Sequence, residues 1–130
     1  MENSDLSKYT LLVAEDDFHT RLFLKEALKK SGIKMLFAQN GMEAVEIIQK
    51  RTRVDLIFMD AMMPAMTGFE ATRRIKKISP EIPVVMLTAY VDQNSIKQAV
   101  ASGCNDYLSK PVDLKVVQTI VEKWLIGNKL

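Results

Sequence analysis

Hydrophobic residues in this chain form short continuous runs that alternate with stretches where apolar positions recur every three or four residues. Runs of four to eight apolar residues bounded by polar ones mark strands buried on both faces. They occur at residues 9–14, 34–38, 54–60, 84–88 and 105–109. The intervening segments carry helical spacing. Leu24, Ala27 and Leu28 show it first, then Ala44, Ile47 and Ile48, then Ala71, Ile75 and Ile78, then Ile96, Ala99 and Val100. A final stripe of Val117, Ile120, Val121 and Trp124 is the clearest.

The residues between these segments support the same division. Gly32 and Gly103 stand where a left-handed residue closes a helix. Thr67 and Glu70 have the spacing of a capping box that opens the third helix, and Asp92 and Asp113 suit the N-caps of the fourth and fifth. Pro80 and Pro83 stop the third helix before the fourth strand. Five strand–helix units with short connections predict an α/β domain, a five-stranded parallel sheet wound on both faces by five helices. Residues 1–8 read as an N-terminal extension, 9–125 as the domain and 126–130 as a tail.

Three of the apolar runs end in ionisable groups. The first leads into Glu15, Asp16 and Asp17, the third ends on Asp60, and the fifth leads into Lys110-Pro111. In parallel sheets ligands bind beyond the carboxyl ends of the strands. If these ends are neighbours, Glu15, Asp16 and Asp60 repel one another until some protonate or a hard cation neutralises them. Magnesium suits such a set because it takes oxygen ligands and keeps several waters that a phosphoryl group can replace. Asp60 would then be the nucleophile at phosphorus, with Lys110 and the hydroxyl of Thr88 on the phosphoryl oxygens.

Composition narrows the classes. The chain has 130 residues, 48% hydrophobic and 26% charged, with 18 basic and 16 acidic side chains for a net charge of +2. No basic block argues for direct nucleic-acid contact. Cys104 is the only cysteine, so an internal disulfide and a thiolate metal cluster are both excluded. No apolar stretch approaches the roughly 18 residues of a membrane span. Residues 1–8 lack the apolar core of a signal peptide, and a cytoplasmic setting is expected.

Competing uses of this architecture fare worse. A dinucleotide or flavin site needs a glycine- or hydroxyl-rich loop after the first strand, where this chain has three acids. The phosphate-binding G-x-x-x-x-G-K-[ST] motif is absent. A phosphatase acting through an aspartyl phosphate needs an acid two residues beyond the nucleophile, and position 62 is Met. A phosphorylation-independent docking module remains a second reading.

The same segments carry a resemblance. LLVAEDD, DLIFMDAMMPAMTG, VVMLTA and DYLSKP resemble the four motifs of the receiver domain of two-component response regulators, over about residues 9–125. Spacings of 44 residues from Asp16 to Asp60, 28 more to Thr88 and 22 more to Lys110 fit as well. The resemblance implies a flavodoxin-like sheet of order 2-1-3-4-5. It implies that Asp60 accepts a phosphoryl group from a phosphohistidine on a sensor histidine kinase or histidine phosphotransfer protein. Magnesium or manganese would be held by Asp16 directly, Glu15 through water, Asp60 and the backbone carbonyl of Met62. Thr88 and Tyr107 would act as the switch, Lys110–Pro111 would be cis, and the face of the fourth helix, fifth strand and fifth helix would address an output domain or protein. Such a receiver is a signalling switch rather than a metabolic enzyme, and a monomer or a phosphorylation-dependent dimer.

Glu15 stands where many members of that family carry Asp. Ala89 leaves room beside Thr88, while Met62 and Tyr90 are bulky and non-acidic, which predicts that they shield an aspartyl phosphate from water. His19, at the start of a helix, is read as a surface residue. Cys104 and Met59, Met62, Met63 and Met66 are read as packing, and Trp124 as buried against the sheet.

Overall fold

The computed structural model describes residues 4–89 and 91–127. Five strands, β1 (Thr10–Ala14), β2 (Lys34–Ala38), β3 (Leu56–Asp60), β4 (Val84–Thr88) and β5 (Asp106–Ser109), are all parallel in the order β2-β1-β3-β4-β5. Five helices connect and follow them: α1 (Phe18–Leu28), α2 (Gly41–Gln49), α3 (Gly68–Ile78), α4 (Gln93–Ser102) and α5 (Leu114–Leu125). This is the doubly wound, flavodoxin-like arrangement expected from the sequence. Among the described residues no helix is long and apolar enough to cross a membrane.

The sheet divides the core in two because successive strand residues point to opposite faces. Leu12, Ala14, Ile57, Met59, Val84 and Met86 meet α2, α3 and α4 on one side. Leu11, Val13, Leu56, Phe58, Val85 and Leu87 meet α1 and α5 on the other. β1, β3 and β4 are buried along their whole length, which is why they read as unbroken apolar runs. At edge strand β5 only Leu108 is buried.

Several boundaries differ from the sequence reading. β3 begins at Leu56 rather than residue 54, because the Asp55 carboxylate accepts the Thr10 amide at 2.8 Å and replaces a ladder bond. β5 begins at Asp106, since the Asn105 side chain accepts from the Val84 amide and from Lys76. A 3-10 turn at Lys29–Ser31 separates α1 from Gly32, whose φ of 77° closes it. Leu6, inside the segment set apart as an extension, is buried with α1 and α5, and its amide donates to Ser31. Trp124 is only partly buried, with its indole nitrogen 3.0 Å from the Asp106 carboxylate.

The caps follow the local chemistry. Asp92 and Asp113 accept the first amides of α4 and α5, and Thr67 accepts the Glu70 amide at 3.2 Å. Glu70 itself turns outward to Arg73 and Arg74, so the capping box is only half made. At α2, where the sequence reading had assigned no box, Asn40 accepts the Glu43 amide at 2.9 Å and the Glu43 carboxylate accepts the Gln39 amide at 2.8 Å.

Candidate functional site

The register brings the strand ends to one level. Ala14 lies beside Ala38 and Met59, Asp60 beside Leu87, and Thr88 beside Ser109. Chain direction reverses across the sheet between β1 and β3, since β1 leads out to edge strand β2 and β3 leads the other way. A crevice at such a point is where open α/β sheets bind ligands. The residues above it are Glu15 and Asp16 from β1 and Asp60 from β3.

The three acids are brought together, each offering a carboxylate oxygen within 4.8 Å of the others. Glu15 is completely buried, Asp60 is nearly so, and Asp16 is exposed. Lys110, arriving from the end of β5, places its Nζ 2.7 Å from Glu15 Oε1 and 3.3 Å from Asp60 Oδ1. The Lys110 ammonium is the partner of Glu15 Oε1, a buried oxygen with no other. Glu15 Oε2 accepts the Asp17 amide at 3.0 Å. Asp60 Oδ1 also receives the Met62 amide at 3.4 Å.

Charge explains why the cluster is incomplete by itself. Three carboxylates against one ammonium leave two negative charges, which one divalent cation cancels. Burial, reinforced by the nearby Asp60 charge, pushes Glu15 up to about 7 against the pull of Lys110 and the Asp17 amide. Burial also works against the charge on Lys110, but Glu15 and Asp60 outweigh it and hold the ammonium above its ordinary value. The rise on Lys110 requires an ionised Glu15, so the two effects describe opposite ends of one titration. Hard oxygen donors, two of them on buried acids, and an exposed third acid together fit magnesium.

The neighbouring expected residues are also here. Thr88 is buried at the end of β4, and its carbonyl accepts the Lys110 amide at 2.8 Å. The Lys110–Pro111 peptide is cis. Tyr107 stands half exposed on β5, bordering a small apolar cavity lined by Phe69, Met86, Thr88, Val91 and Ala99. The Met62 side chain is 63% exposed at the rim. Tyr90 lies outside the described residues. His19 is exposed, and Cys104 is partly buried against the core.

Three contributors were given no role of their own in the sequence reading. Asp17, the third acid of the run, is the N-cap of α1 and accepts the Thr20 amide and hydroxyl at 2.9 and 2.7 Å. Arg21 Nη1 donates at 2.8 Å to the Glu15 carbonyl and clasps the acidic loop from above. Gly68 donates its amide to Ala61 at 2.8 Å and lies so close that a Cβ would collide with the Asp60 carbonyl. A glycine eight residues after a candidate nucleophile was the available signal for the last. The other two look like ordinary helix-start residues.

Comparison with known proteins places these features in a family. The profile of the response regulator receiver domain matches residues 11–122. Sporulation initiation phosphotransferase F of Bacillus subtilis is 32% identical over 115 residues, covering 88% of this chain and 92% of that protein. The receiver domain of Saccharomyces cerevisiae Ssk1, solved with the histidine phosphotransfer protein Ypd1, superposes with a TM-score of 0.85 at 33% identity, covering 94% of this chain and 92% of that one. The receiver domain of a Pseudomonas aeruginosa sensor histidine kinase, with a magnesium ion coordinated in its active site cleft, gives 0.82 at 29% identity over 90% and 97% of the two chains. Of several longer curated relatives the chain spans only 14% to 29% of the length.

Proposed function

The chain belongs to the response regulator receiver domain family, and on that premise we propose that Asp60 is its phosphoacceptor. Receiver domains act with histidine kinases or phosphotransfer proteins and bind magnesium at an acidic site. Here a carboxylate oxygen of Asp60 attacks phosphorus as the bond from phosphorus to the donor imidazole nitrogen breaks. The electron pair leaves with the imidazole, and Asp60 becomes an acyl phosphate. Water later returns it to the carboxylate and releases inorganic phosphate.

Asp16, Asp60 and the Met62 carbonyl would hold magnesium, or manganese in its place, with Glu15 bridging through water. When bound, the metal supplies Lewis-acid stabilisation of the phosphoryl oxygens. The chain's own residues do the rest. Lys110 binds one phosphoryl oxygen and Thr88 another, stabilising charge that spreads over the equatorial oxygens. Thr88 moves toward the phosphoryl group, and Tyr107 turns into the apolar space beside it. The surface of α4, β5 and α5 thereby changes, and it addresses an output domain or protein without direct nucleic-acid contact. The working unit is residues 9–125, cytoplasmic, and either monomeric or dimeric on phosphorylation. Exposed Met62, with Tyr90, slows loss of the phosphoryl group.

The observation that carries this reading is the meeting of Glu15, Asp16 and Asp60 within 4.8 Å, with Lys110 facing two of them. Incubation with magnesium and acetyl phosphate, followed by mass spectrometry, tests it. One phosphoryl adduct is expected, abolished by Asp60→Asn and by chelation. Steady turnover of a phosphoester would point to a phosphatase. No adduct would leave a docking module.

A further inference from the structure

We propose that the edge of the sheet opposite the acidic cleft carries a cationic patch that docks on an anionic lipid surface. Nothing in the phosphoacceptor chemistry uses this patch, and it stands whether or not Asp60 accepts a phosphoryl group.

No single stretch of sequence forms a basic block; the fold assembles one. Residues 4–9, 29–34 and 50–55 contain seven basic and two acidic side chains, a balance of +5 against +2 for the whole chain. Backbone bonds draw the three segments together at the start of β1. The Leu6 amide donates to the Ser31 carbonyl at 2.7 Å, the Lys34 amide to Tyr9 at 3.1 Å and the Asp55 amide to Thr10 at 2.9 Å. Lys8, Lys29, Lys30, Lys34, Lys50 and Arg51 are all exposed, and among the described residues none of the six is in an ion pair. The two acids are engaged locally. Asp5 accepts the Ser7 amide at 3.0 Å, and Asp55 accepts the Thr10 amide and pairs with Arg53 at 3.3 Å.

One member of the patch sits where its side chain strains the backbone. The Arg51 amide donates to Ile48 and the Thr52 amide to Ile47, the paired bonds of a Schellman close to α2. Arg51 therefore holds a left-handed φ of 62°. Glycine fills that role after Lys29–Ser31 and again after α4. The helix dipole does not require the arginine, because Lys50 already stands at the same end. A local rule broken with no return in packing points to a use for the charge itself.

Shape selects the partner. The charges project from turns, and α1 and α2 reach them only with their carboxyl-terminal ends, so no helix lies along the patch as in a protein that reads a nucleic-acid groove. Tyr9 is the one aromatic residue in the three segments; it is half-buried against the core, with Lys8 Nζ over its ring at 5.4 Å, and it offers no open face for stacking bases. A plane of phosphate headgroups asks only for charge on projecting turns, worth about fivefold in affinity per side chain. β1 spans five residues, roughly 17 Å, so patch and cleft lie farther apart than the screening length of about 10 Å at roughly 0.1 M salt. A docked domain keeps its cleft open on the far side.

Sedimentation of residues 1–130 with vesicles of equal parts phosphatidylglycerol and phosphatidylcholine tests the proposal. Binding is expected at low salt, absent with phosphatidylcholine alone, and lost at about 1 M salt, where screening shortens to about 3 Å. Lys29→Ala/Lys30→Ala should weaken it roughly 25-fold and Arg51→Gly roughly fivefold. Arg51→Gly is the sharper case, because it should raise the melting temperature while weakening binding. Adduct formation on Asp60 should be unchanged in both. Melting curves identify a variant that does not fold, and the other then decides. No binding by the wild type, binding that survives high salt, or a folded variant that binds as well as the wild type overturns the proposal. So does tighter binding to duplex nucleic acid than to the vesicles at matched phosphate concentration. If the vesicles are bound but Asp60 takes no phosphoryl group, the patch stands and the receiver chemistry falls.

Discussion

The buried acid at position 15 gives metal-free protein an unusual pH dependence. Glu15 titrates near 7 in the fold and at 4.5 when free, so the folded state binds its proton more tightly than the unfolded chain does. The resulting stabilisation is complete below pH 4.5, declines as pH rises toward 7, and is gone above it. The separation of the two values corresponds to about 3 kcal/mol, or roughly 10 °C in Tm for a domain of this size. Lys110 stays charged throughout this window, because its own titration is held above 10.5. Exposed carboxylates contribute the opposite slope, so the informative quantity is the difference between wild type and Glu15→Gln. Melting both proteins in chelator from pH 4.5 to 7.5 measures it. The wild type should lose ground to the variant by about the stated amount as pH rises. Because protons and metal compete for the same carboxylates, apparent magnesium affinity should also climb up to tenfold per pH unit below 7 and level off above. Parallel melting curves for the two proteins would refute the reasoning.

Three other perturbations follow from the packing. Gly68→Ala forces a Cβ against the Asp60 carbonyl and should cost about 1–3 kcal/mol in urea unfolding while slowing adduct formation; unchanged stability and rate would show that the loop yields freely. Ala65 holds a left-handed φ of 72° in the loop after Asp60, so Ala65→Gly should stabilise by about 0.5 kcal/mol, whereas a loss would mean the methyl group packs usefully. Lys76 donates to the Ile82 carbonyl and the Asn105 side chain, each at 2.7 Å, and thereby ties α3 to the starts of β4 and β5. Lys76→Ala should lower stability by about 1–2 kcal/mol with the urea slope unchanged; a neutral result would make the clamp ornamental.

The sheet was legible because β1, β3 and β4 are buried on both faces and leave unbroken apolar runs in the sequence. The acids, Thr88 and Lys110 were legible because each directly follows or ends such a run, and parallel strands bring their carboxyl ends to one edge. Less visible were contacts whose meaning depends on distance across the fold. Asp17 and Asp16 are the same residue type side by side, yet one caps α1 and the other faces the site. Arg21 has the spacing of a helix-surface residue, and only the turn of the loop brings the Glu15 carbonyl to it. Trp124 lies on an apolar stripe, but its indole N–H must find an acceptor and takes Asp106, which keeps the ring from full burial. The starts of β3 and β5 shifted for a related reason, since the side chains of Asp55 and Asn105 replace backbone partners there.

A crystal structure with magnesium and beryllofluoride tests the account at its centre. The account predicts one metal ion between Asp16 and Asp60, beryllofluoride bonded to an Asp60 oxygen, and its fluorines contacted by Lys110 and the Thr88 hydroxyl. A metal ion bound elsewhere, or an Asp60 left bare beside a saturating supply of both reagents, would contradict it.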